Sequence, residues 1–329
     1  MKSASIDPHL SEQLKRVDPE LRDVALQMFE LYRQFTPMSL ERLAARRATL
    51  SAMVAEPSTA ASVEQRIIAG SRGMPDVAVY LVNANPADQR AAILHTHGGG
   101  FTASSARASV PGLQEAATAL DCTIVSVEYR NAPETRHDGS LEDNYAALRW
   151  LHGHADEIGV DRTRIALMGE SGGGGHAALL AIAARDRGEF PLVFQALLYP
   201  MIDDRTGSSR PSPPHRGVFN WGDDANRFGW RCFLGEEPGT AHVPEHAVPS
   251  RVKDLSGLPP AFIGVGELDI FVDENIEYAR RLLEAGIAVE LLVVPGAFHG
   301  FDMLARRAAV SRGFTAAKLA ALKRALATR

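Results

Sequence analysis

Residues 169–175 read Gly-Glu-Ser-Gly-Gly-Gly-Gly, and the position of Ser171 among these glycines suits nucleophilic chemistry. The run contains Gly-x-Ser-x-Gly, the pattern of a nucleophile elbow, in which a serine occupies a strained turn between a strand and a helix. Glycine two residues to either side avoids a collision of side chains with neighbouring backbone. The flanks agree, because residues 165–168 are typical of a short buried strand and residues 176–187 have a helical apolar face.

The same glycine run has two other interpretations. The stretch from Gly172 to Ala177 fits a relaxed dinucleotide fingerprint, in which glycines let the backbone approach a pyrophosphate at a helix N-terminus. A second stretch, from Gly98 to Ala103, fits the same pattern. A plain glycine-rich turn is the third interpretation, so residues elsewhere in the chain must decide.

A serine nucleophile needs a base to take its proton and an acid to orient that base. In chains with this elbow, the acid follows the serine and the histidine follows the acid. Asp269 comes shortly after a predicted strand at 261–265, and His299 follows the last predicted strand at 289–294. Among 11 histidines, His299 alone lies behind a strand in that order. Ser171, Asp269 and His299 are therefore predicted to act together, with no metal and no cofactor.

Other carboxylates near Asp269 have competing interpretations. Glu267 is nearer the strand and is expected to hold the loop. Asp273 and Glu274 begin a predicted helix, where carboxylates commonly cap free amides and offset the helix dipole. Asp269 is therefore the preferred acid.

Acyl transfer also needs backbone amides that stabilise the negative charge on the former carbonyl oxygen. Residues 97–100 read His-Gly-Gly-Gly and supply such amides, because glycine lets the main chain approach a substrate without a Cβ in the way. The amide of Gly172, next to the nucleophile, adds another. We expect His97 to hold this loop by hydrogen bonding and Glu170 to support the loop contacts beside the serine. Close approach to an acyl oxygen also explains both dinucleotide-like stretches.

An alternation of predicted strands and helices positions these residues. Strands at 63–69 and 77–82 form a β-meander entry to a sheet of eight strands. The later strands are predicted at 91–96, 122–128, 165–168, 193–199, 261–266 and 289–294. The pattern predicts an α/β fold with a mostly parallel sheet covered on both faces by helices. Ligands bind such sheets at the carboxyl ends of the strands, where the loops named above would gather.

Two segments lie outside this alternation. Residues 8–35 have helical periodicity broken at Pro19, and Ser39 begins another helical piece that continues to about residue 54. Residues 203–257 interrupt the sheet pattern with an insertion rich in aromatic residues. These are Phe219, Trp221, Phe228, Trp230 and Phe233. Long excursions in compact domains are usually functional, so we expect a lid or pocket wall, which is compatible with a satellite hydrophobic cluster.

Composition excludes several classes of protein. Of the 329 residues, 45% are hydrophobic, which is typical of a globular chain. The net charge of −5 is dispersed, and no basic stripe indicates nucleic acid binding. No apolar run approaches the roughly 18–20 residues that span a bilayer, and the first residues lack the apolar core of a signal peptide. We therefore expect a cytoplasmic protein whose partner is a small molecule.

Five segments together resemble the bacterial hormone-sensitive lipase family within the α/β-hydrolases. They are His-Gly-Gly-Gly-Phe at 97–101, the stretch 128–134, Gly-Glu-Ser-Gly-Gly at 169–173, Glu-Leu-Asp at 267–269 with Asp-Glu at 273–274, and Phe-His-Gly-Phe at 298–301. The resemblance implies an α/β-hydrolase fold and carboxylesterase activity on short acyl chains. It also implies a cap formed by N-terminal helices, about 1–55, and by the insertion 203–257, within a single domain spanning 1–329.

The resemblance also assigns roles to individual residues. The nucleophile, acid and base fall on Ser171, Asp269 and His299, and the oxyanion amides fall on Gly99, Gly100 and Gly172. The chain departs from the family pattern beside the serine, where Glu170 replaces the usual Asp or Thr and Gly172 replaces the usual Ala. None of these departures removes a reacting group.

Three alternatives remain at the level of sequence. Lactone or other acyl hydrolysis would use the same triad. A non-catalytic small-molecule receptor and a nicotinamide-dependent oxidoreductase are the alternatives from other classes. Relatives often dimerise through a sheet edge, and the predicted strand 289–294 is a candidate for that edge.

Overall fold

A computed structural model describes residues 7–71 and 73–327 of the chain. The strands are β1 Val63–Ile68, β2 Val77–Val82, β3 Arg90–Thr96, β4 Thr123–Glu128, β5 Val160–Glu170, β6 Phe194–Leu198, β7 Ala261–Gly266 and β8 Val289–Val294. The α-helices are α1 Pro8–Arg16, α2 Arg22–Tyr32, α3 Leu40–Ala52, α4 Ala106–Leu120, α5 His137–Gly153, α6 Gly172–Arg187, α7 Asp223–Leu234, α8 Val272–Glu284, α9 Phe301–Leu304 and α10 Ala309–Leu326.

The eight strands form one sheet in the order β1-β2-β4-β3-β5-β6-β7-β8. Neighbouring strands from β4 to β8 pair in parallel, while β2 pairs antiparallel with both β1 and β4. This architecture confirms the predicted α/β fold with a mostly parallel sheet. The parallel arrangement also brings the carboxyl ends of β3, β5, β7 and β8 to one edge, where the candidate site residues follow them.

The two strands of the predicted β-meander entry pair antiparallel, as expected, but the chain does not continue the meander into β3. A meander would pair β2 with β3, but β4 lies between them because α4 carries the chain over the sheet from β3 to β4. Parallel neighbours require such a crossover connection. Both β3 and β4 are apolar and buried, so the sequence pattern alone does not indicate which of them adjoins β2.

Helices cover both faces of the sheet and enclose two apolar cores. One core contains Phe262, Phe298 and Phe314, and residues of α1 and α2 pack against it. The other core lies on the opposite face, where α5, α6 and α8 contribute Leu148, Leu180 and other apolar residues. The sheet is therefore held on both sides, which fixes the strand ends that carry the loops.

The N-terminal helices and the insertion lie at the same end of the molecule. The predicted break at Pro19 is confirmed, because a short 3-10 helix, Pro19–Leu21, separates α1 from α2. Ser39 caps α3, accepting a hydrogen bond from the amide of Arg42 at 3.2 Å. Within residues 203–257, α7 packs its aromatic side chains into a third apolar cluster with Phe101 of the β3–α4 loop. Residues 1–6 of the predicted cap lie outside the described residues.

Two further predictions concern the location of the protein in the cell and its dimerisation. Among the helices of residues 7–71 and 73–327, none is both long and apolar enough to cross a membrane. Strand β8 lies at the edge of the sheet, and Leu291 on it is 40% exposed. Dimerisation through this edge and a cytoplasmic location stay predictions.

Candidate active site

Ser171 occupies the turn between β5 and α6 in a strained backbone conformation. Its φ of 56° and ψ of −122° lie in a region that non-glycine residues rarely adopt. The amide of Ser171 donates to the carbonyl oxygen of Leu198 at 2.9 Å, which fixes the turn against β6. This strain lifts the Oγ atom out of the strand and presents it at the end of the sheet.

The flanking glycines are required by close approach of the backbone. A Cβ on Gly169 would lie 2.3 Å from the carbonyl oxygen of Gly173, and a Cβ on Gly173 would lie 2.1 Å from that of Thr96. Both glycines therefore make room for this chain's own backbone, as an elbow demands. Helix α6 begins at Gly172, four residues before the predicted start. The first turn was not predicted because it consists of glycines, which have a low helix propensity.

A chain of hydrogen bonds links Ser171, His299 and Asp269. The Oγ atom of Ser171 lies 2.9 Å from Nε2 of His299. The Nδ1 atom of the same ring lies 2.6 Å from Oδ2 of Asp269. Asp269 is fully buried, and its Oδ1 atom accepts a hydrogen bond from the amide of Phe271 at 3.0 Å. With Asp269 ionised, Nδ1 carries the hydrogen and Nε2 can accept the serine proton.

Two further residues hold the histidine loop in place. The Oε2 atom of Glu267 accepts a hydrogen bond from the amide of Gly296 at 3.0 Å. The side-chain amide of Asn220 donates to the carbonyl oxygen of His299 at 2.7 Å. Glu267 has the position expected from the sequence. Asn220 was not predicted, because it comes from the insertion and belongs to no motif.

The other candidate acids make different contacts. The carboxylate of Asp273 is exposed and pairs with Arg216 at 2.6 Å. Glu274 is buried, and its Oε1 atom accepts hydrogen bonds from the amides of Ile202 and Asp203. Burial raises the pKa of Glu274 well above its ordinary value. Glu274 thus holds the loop that follows β6 rather than capping its own helix.

The β3–α4 loop presents backbone amides beside the nucleophile. Gly99 and Gly100 both have positive φ angles, 128° and 63°, which turn the main chain towards the elbow. Across the described residues, the amides of Gly99, Gly100 and Gly172 donate no hydrogen bond to a protein acceptor. A Cβ on Gly172 would lie 3.1 Å from the amide nitrogen of Gly100, so the two backbones nearly touch. Unpaired N–H groups from the β3–α4 loop and from the start of α6 therefore lie close together beside Ser171.

The buried side chain of His97 holds the β3–α4 loop in place. Its ring is fully buried, stacks on Tyr129 at a centroid distance of 4.1 Å, and its Nδ1 atom lies 2.9 Å from the carbonyl oxygen of Gly98. The hydroxyl of Tyr129 donates to the carbonyl oxygen of His97. Burial lowers the pKa of His97 to about 4, so the ring is neutral at neutral pH. A neutral, buried ring that does not contact Ser171 agrees with a role in holding the loop.

Glu170 forms a buried pair with a histidine from the neighbouring strand. Its Oε2 atom lies 2.8 Å from Nε2 of His95, and Nδ1 of His95 lies 2.8 Å from the hydroxyl of Ser126. Burial alone would raise the pKa of the Glu170 carboxyl, but its interactions with His95, together with smaller contributions from Lys318 and His97, hold that pKa below its ordinary value. The departure from the family pattern at Glu170 is therefore matched by a partner on β3, and the pair ties the elbow to β3 and β4.

Alanine is the usual family residue beside the nucleophile, so Gly172→Ala is expected to lower kcat only about threefold to tenfold, much less than the complete loss of an oxyanion donor. The new Cβ would lie 2.8 Å from the amide nitrogen of Phe101 and would push the oxyanion loop away from the elbow. The loop has little room to recede, because a Cβ on Gly100 would lie 2.2 Å from Cη2 of Trp221. Steady-state kinetics with p-nitrophenyl butyrate measures the effect. Gly153→Ala is the matched control, since a Cβ there meets no atom within 4 Å; equal kcat values for the two variants would contradict the expectation.

A cavity of about 490 Å³ opens onto these groups. Ser171, His299 and the glycine loop line it together with Trp221, so the insertion supplies part of its wall. Helices α2 and α3 line one portion, and α4, α9 and α10 line another. Within residues 7–71 and 73–327, no group of three or more His, Cys, Asp or Glu side chains is arranged to hold a metal ion.

Comparison with known proteins relates this arrangement to esterases. The model of a family described as alpha/beta hydrolase fold matches residues 93–303. The carboxylesterase NlhH of Mycobacterium tuberculosis is 36% identical over 273 residues, which cover 80% of this chain and 83% of that protein. The ethyl acetate hydrolase of Pseudomonas putida is 33% identical over 224 residues, covering 66% of this chain and 68% of that protein.

A solved structure extends the similarity over nearly the whole chain. The structure of a bacterial heroin esterase superposes on this chain with a TM-score of 0.85 at 38% identity. The match covers 96% of this chain and 99% of the esterase chain. The match therefore includes the N-terminal helices and the insertion as well as the sheet.

Proposed function

The chain belongs to the α/β-hydrolase family, among the bacterial hormone-sensitive lipases, and we propose that this carboxylesterase cleaves short-chain acyl esters through an acyl-enzyme formed on Ser171. The observation that supports the mechanism most is the relay from Ser171 Oγ through His299 to Asp269, which lies beside free backbone amides.

Acylation begins when Ser171 Oγ attacks the ester carbonyl carbon. His299 Nε2 takes the serine proton, and buried Asp269 stabilises the imidazolium that forms. The carbonyl oxygen becomes an oxyanion that the amides of Gly99, Gly100 and Gly172 stabilise. When the tetrahedral intermediate collapses, His299 returns the proton to the departing alcohol and the acyl group stays on Ser171.

Deacylation repeats these steps with water. His299 Nε2 takes a proton from water, the hydroxyl attacks the acyl carbon, and the same amides hold the second oxyanion. Collapse releases the carboxylic acid, and Ser171 Oγ recovers its proton from His299. The steps balance without a redox change. His299 carries the proton in each of them.

We also propose that the described part of residues 1–55 and the insertion 203–257 form the cap of a single catalytic domain. Support comes from the cavity wall, to which Tyr32 and Leu50 contribute from one segment and Asn220 and Trp221 from the other. Asn220 also holds His299, so the insertion serves both the pocket and the base.

The cavity volume leads to a prediction about acyl length. The cavity of about 490 Å³ must hold both the acyl and the alcohol part of the ester, and a relative that is 33% identical is an ethyl acetate hydrolase; together these support small substrates. In a series of p-nitrophenyl esters from acetate to laurate, kcat/KM should be greatest for short chains and fall at least about tenfold by laurate. A small panel of lactones, assayed in parallel, separates ester from lactone preference. A maximum at laurate would contradict the short-chain proposal.

A further inference from the structure

Arg46 on α3 is a buried cation beside the candidate active site. The residue is only 3% exposed and lines the cavity that contains Ser171 and His299. Among the described residues, no acceptor lies within hydrogen-bond distance of its Nε or Nη1 atom. Burial of a charged group without a hydrogen-bonding partner is costly, so such groups are ordinarily paired.

The neighbouring Arg47 shows how differently two adjacent guanidinium groups are used. Arg47 forms an ion pair with Glu134 at 2.7 Å and donates to the carbonyl oxygens of Thr102 and Ala132. These bonds fasten α3 to the loops behind the oxyanion amides. Because Arg47 already anchors the helix, anchoring α3 to these loops does not require Arg46.

Aromatic rings rather than acceptors surround the Arg46 guanidinium. Its Cζ atom lies 5.1 Å from the ring centroid of Trp221 and 5.7 Å from that of Tyr32. Such rings stabilise the cation through its face and do not satisfy the donors in its plane. Within the part of the chain that the structure describes, the Nε and Nη1 donors are buried and unpartnered, whereas Nη2 is not among the buried atoms, so a cavity ligand would reach the guanidinium first at Nη2. Trp221 also packs against Gly100, and its ring centroid lies 6.4 Å from that of His299. The same indole ring therefore neighbours both the guanidinium and His299.

Acidic side chains that line the same cavity already have protein partners. Glu170 contacts His95, Asp302 accepts a hydrogen bond from the Tyr199 hydroxyl at 2.8 Å, and Glu115 pairs with Arg306. Within residues 7–71 and 73–327, Arg46 forms no ion pair. A ligand acceptor that enters the cavity is therefore a suitable partner for Arg46.

We propose that Arg46 binds a carboxylate on the substrate. Esters that carry a free, ionised carboxylate group in addition to the ester are then preferred over neutral esters of the same shape. The inference rests on the proposed function. A guanidinium presents two parallel N–H donors that match a carboxylate, and charge-assisted bonds of this kind are among the strongest in proteins. Hydrolysis adds water across the ester bond; it releases an alcohol and a dicarboxylate when the charge is on the acyl side, and a monocarboxylic acid and a carboxylate-bearing alcohol when the charge is on the alcohol side.

Two matched substrate pairs test the proposal for each part of the ester. The first compares mono-p-nitrophenyl adipate with its neutral counterpart, in which an isopropyl group replaces the carboxylate. The second compares para-acetoxybenzoate with para-isopropylphenyl acetate, which places the charge on the alcohol side. The measured quantity is the ratio of kcat/KM for the charged ester to that for the neutral ester, after subtraction of spontaneous hydrolysis.

In at least one pair, Arg46→Met should lower this ratio by about tenfold to a hundredfold. Arg33→Met is the matched control, since it removes the same charge from an exposed position that pairs with Glu30. Its ratio should equal that of the wild type. Arg46→Gln repeats the test with a polar side chain if Arg46→Met lacks a cooperative thermal transition, and it should lower the ratio in the same range.

The outcomes separate this inference from the proposed function. A ratio that stays within about threefold of wild type in both pairs would show that Arg46 only packs against Trp221 and Tyr32. If neutral esters are hydrolysed in a Ser171-dependent way but the ratio does not move, the carboxylate inference alone fails. If Ser171→Ala still hydrolyses the neutral esters, the proposed function fails.

Discussion

Ser171→Ala is expected to lower kcat for p-nitrophenyl butyrate about ten-thousand-fold to a million-fold. The substitution removes the only atom that the proposed mechanism uses to attack the ester, while the backbone turn and the oxyanion amides stay in place. The remaining rate should come from binding and from those amides alone. Because Ser171 is buried at the elbow, a thermal melt should accompany the kinetics and should show a folded variant.

Ser51→Ala is the matched control for the nucleophile. It removes a hydroxyl from an exposed residue near the end of α3, so its kcat should equal that of the wild type. If Ser171→Ala retained more than about a hundredth of the activity, another nucleophile or an activated water would have to be responsible.

Asp269→Asn should lower kcat by about ten-thousand-fold with little change in the fold. The ionised carboxylate accepts the hydrogen of His299 Nδ1, whereas an asparagine amide can donate to that atom instead. His299 would then carry its hydrogen on Nε2 and could not accept the proton of Ser171. The Oδ1 contact with the Phe271 amide can be kept by the asparagine oxygen, so the loss should fall on chemistry rather than on stability.

Two neighbouring carboxylates provide the comparison for Asp269. Asp273→Asn should leave kcat unchanged, because that side chain is exposed and contacts Arg216. Glu267→Gln should cost less than about tenfold, since the glutamine oxygen can still accept the Gly296 amide. A loss from Asp273→Asn as large as that from Asp269→Asn would overturn the assignment of the acid.

The sequence was most predictive where one local requirement determines the residue type. Gly169 and Gly173 could be predicted as elbow glycines because any Cβ there collides with backbone. Strands β2, β7 and β8 have the predicted bounds, since apolar runs flanked by turn residues mark both of their ends. The order of acid and histidine after the serine placed Asp269 and His299 behind β7 and β8.

The sequence was less predictive where the outcome depends on tertiary packing. It did not show that β4 separates β2 from β3, since both candidates are equally apolar. Asn220 contacts His299 and Arg46 stacks on Trp221 only after the insertion and α3 have packed at the site. Such contacts join residues far apart in the chain, and neither residue belongs to a recognisable motif.

Labelling with a fluorophosphonate, followed by peptide mass spectrometry, tests most directly whether Ser171 is the activated nucleophile. We expect one phosphonyl group per chain, attached to Ser171, and concomitant loss of ester hydrolysis. His299→Ala should react far more slowly, because the serine then lacks its base. A protein that hydrolyses esters but remains unlabelled, or that is labelled and inactivated at a different residue, would contradict the account.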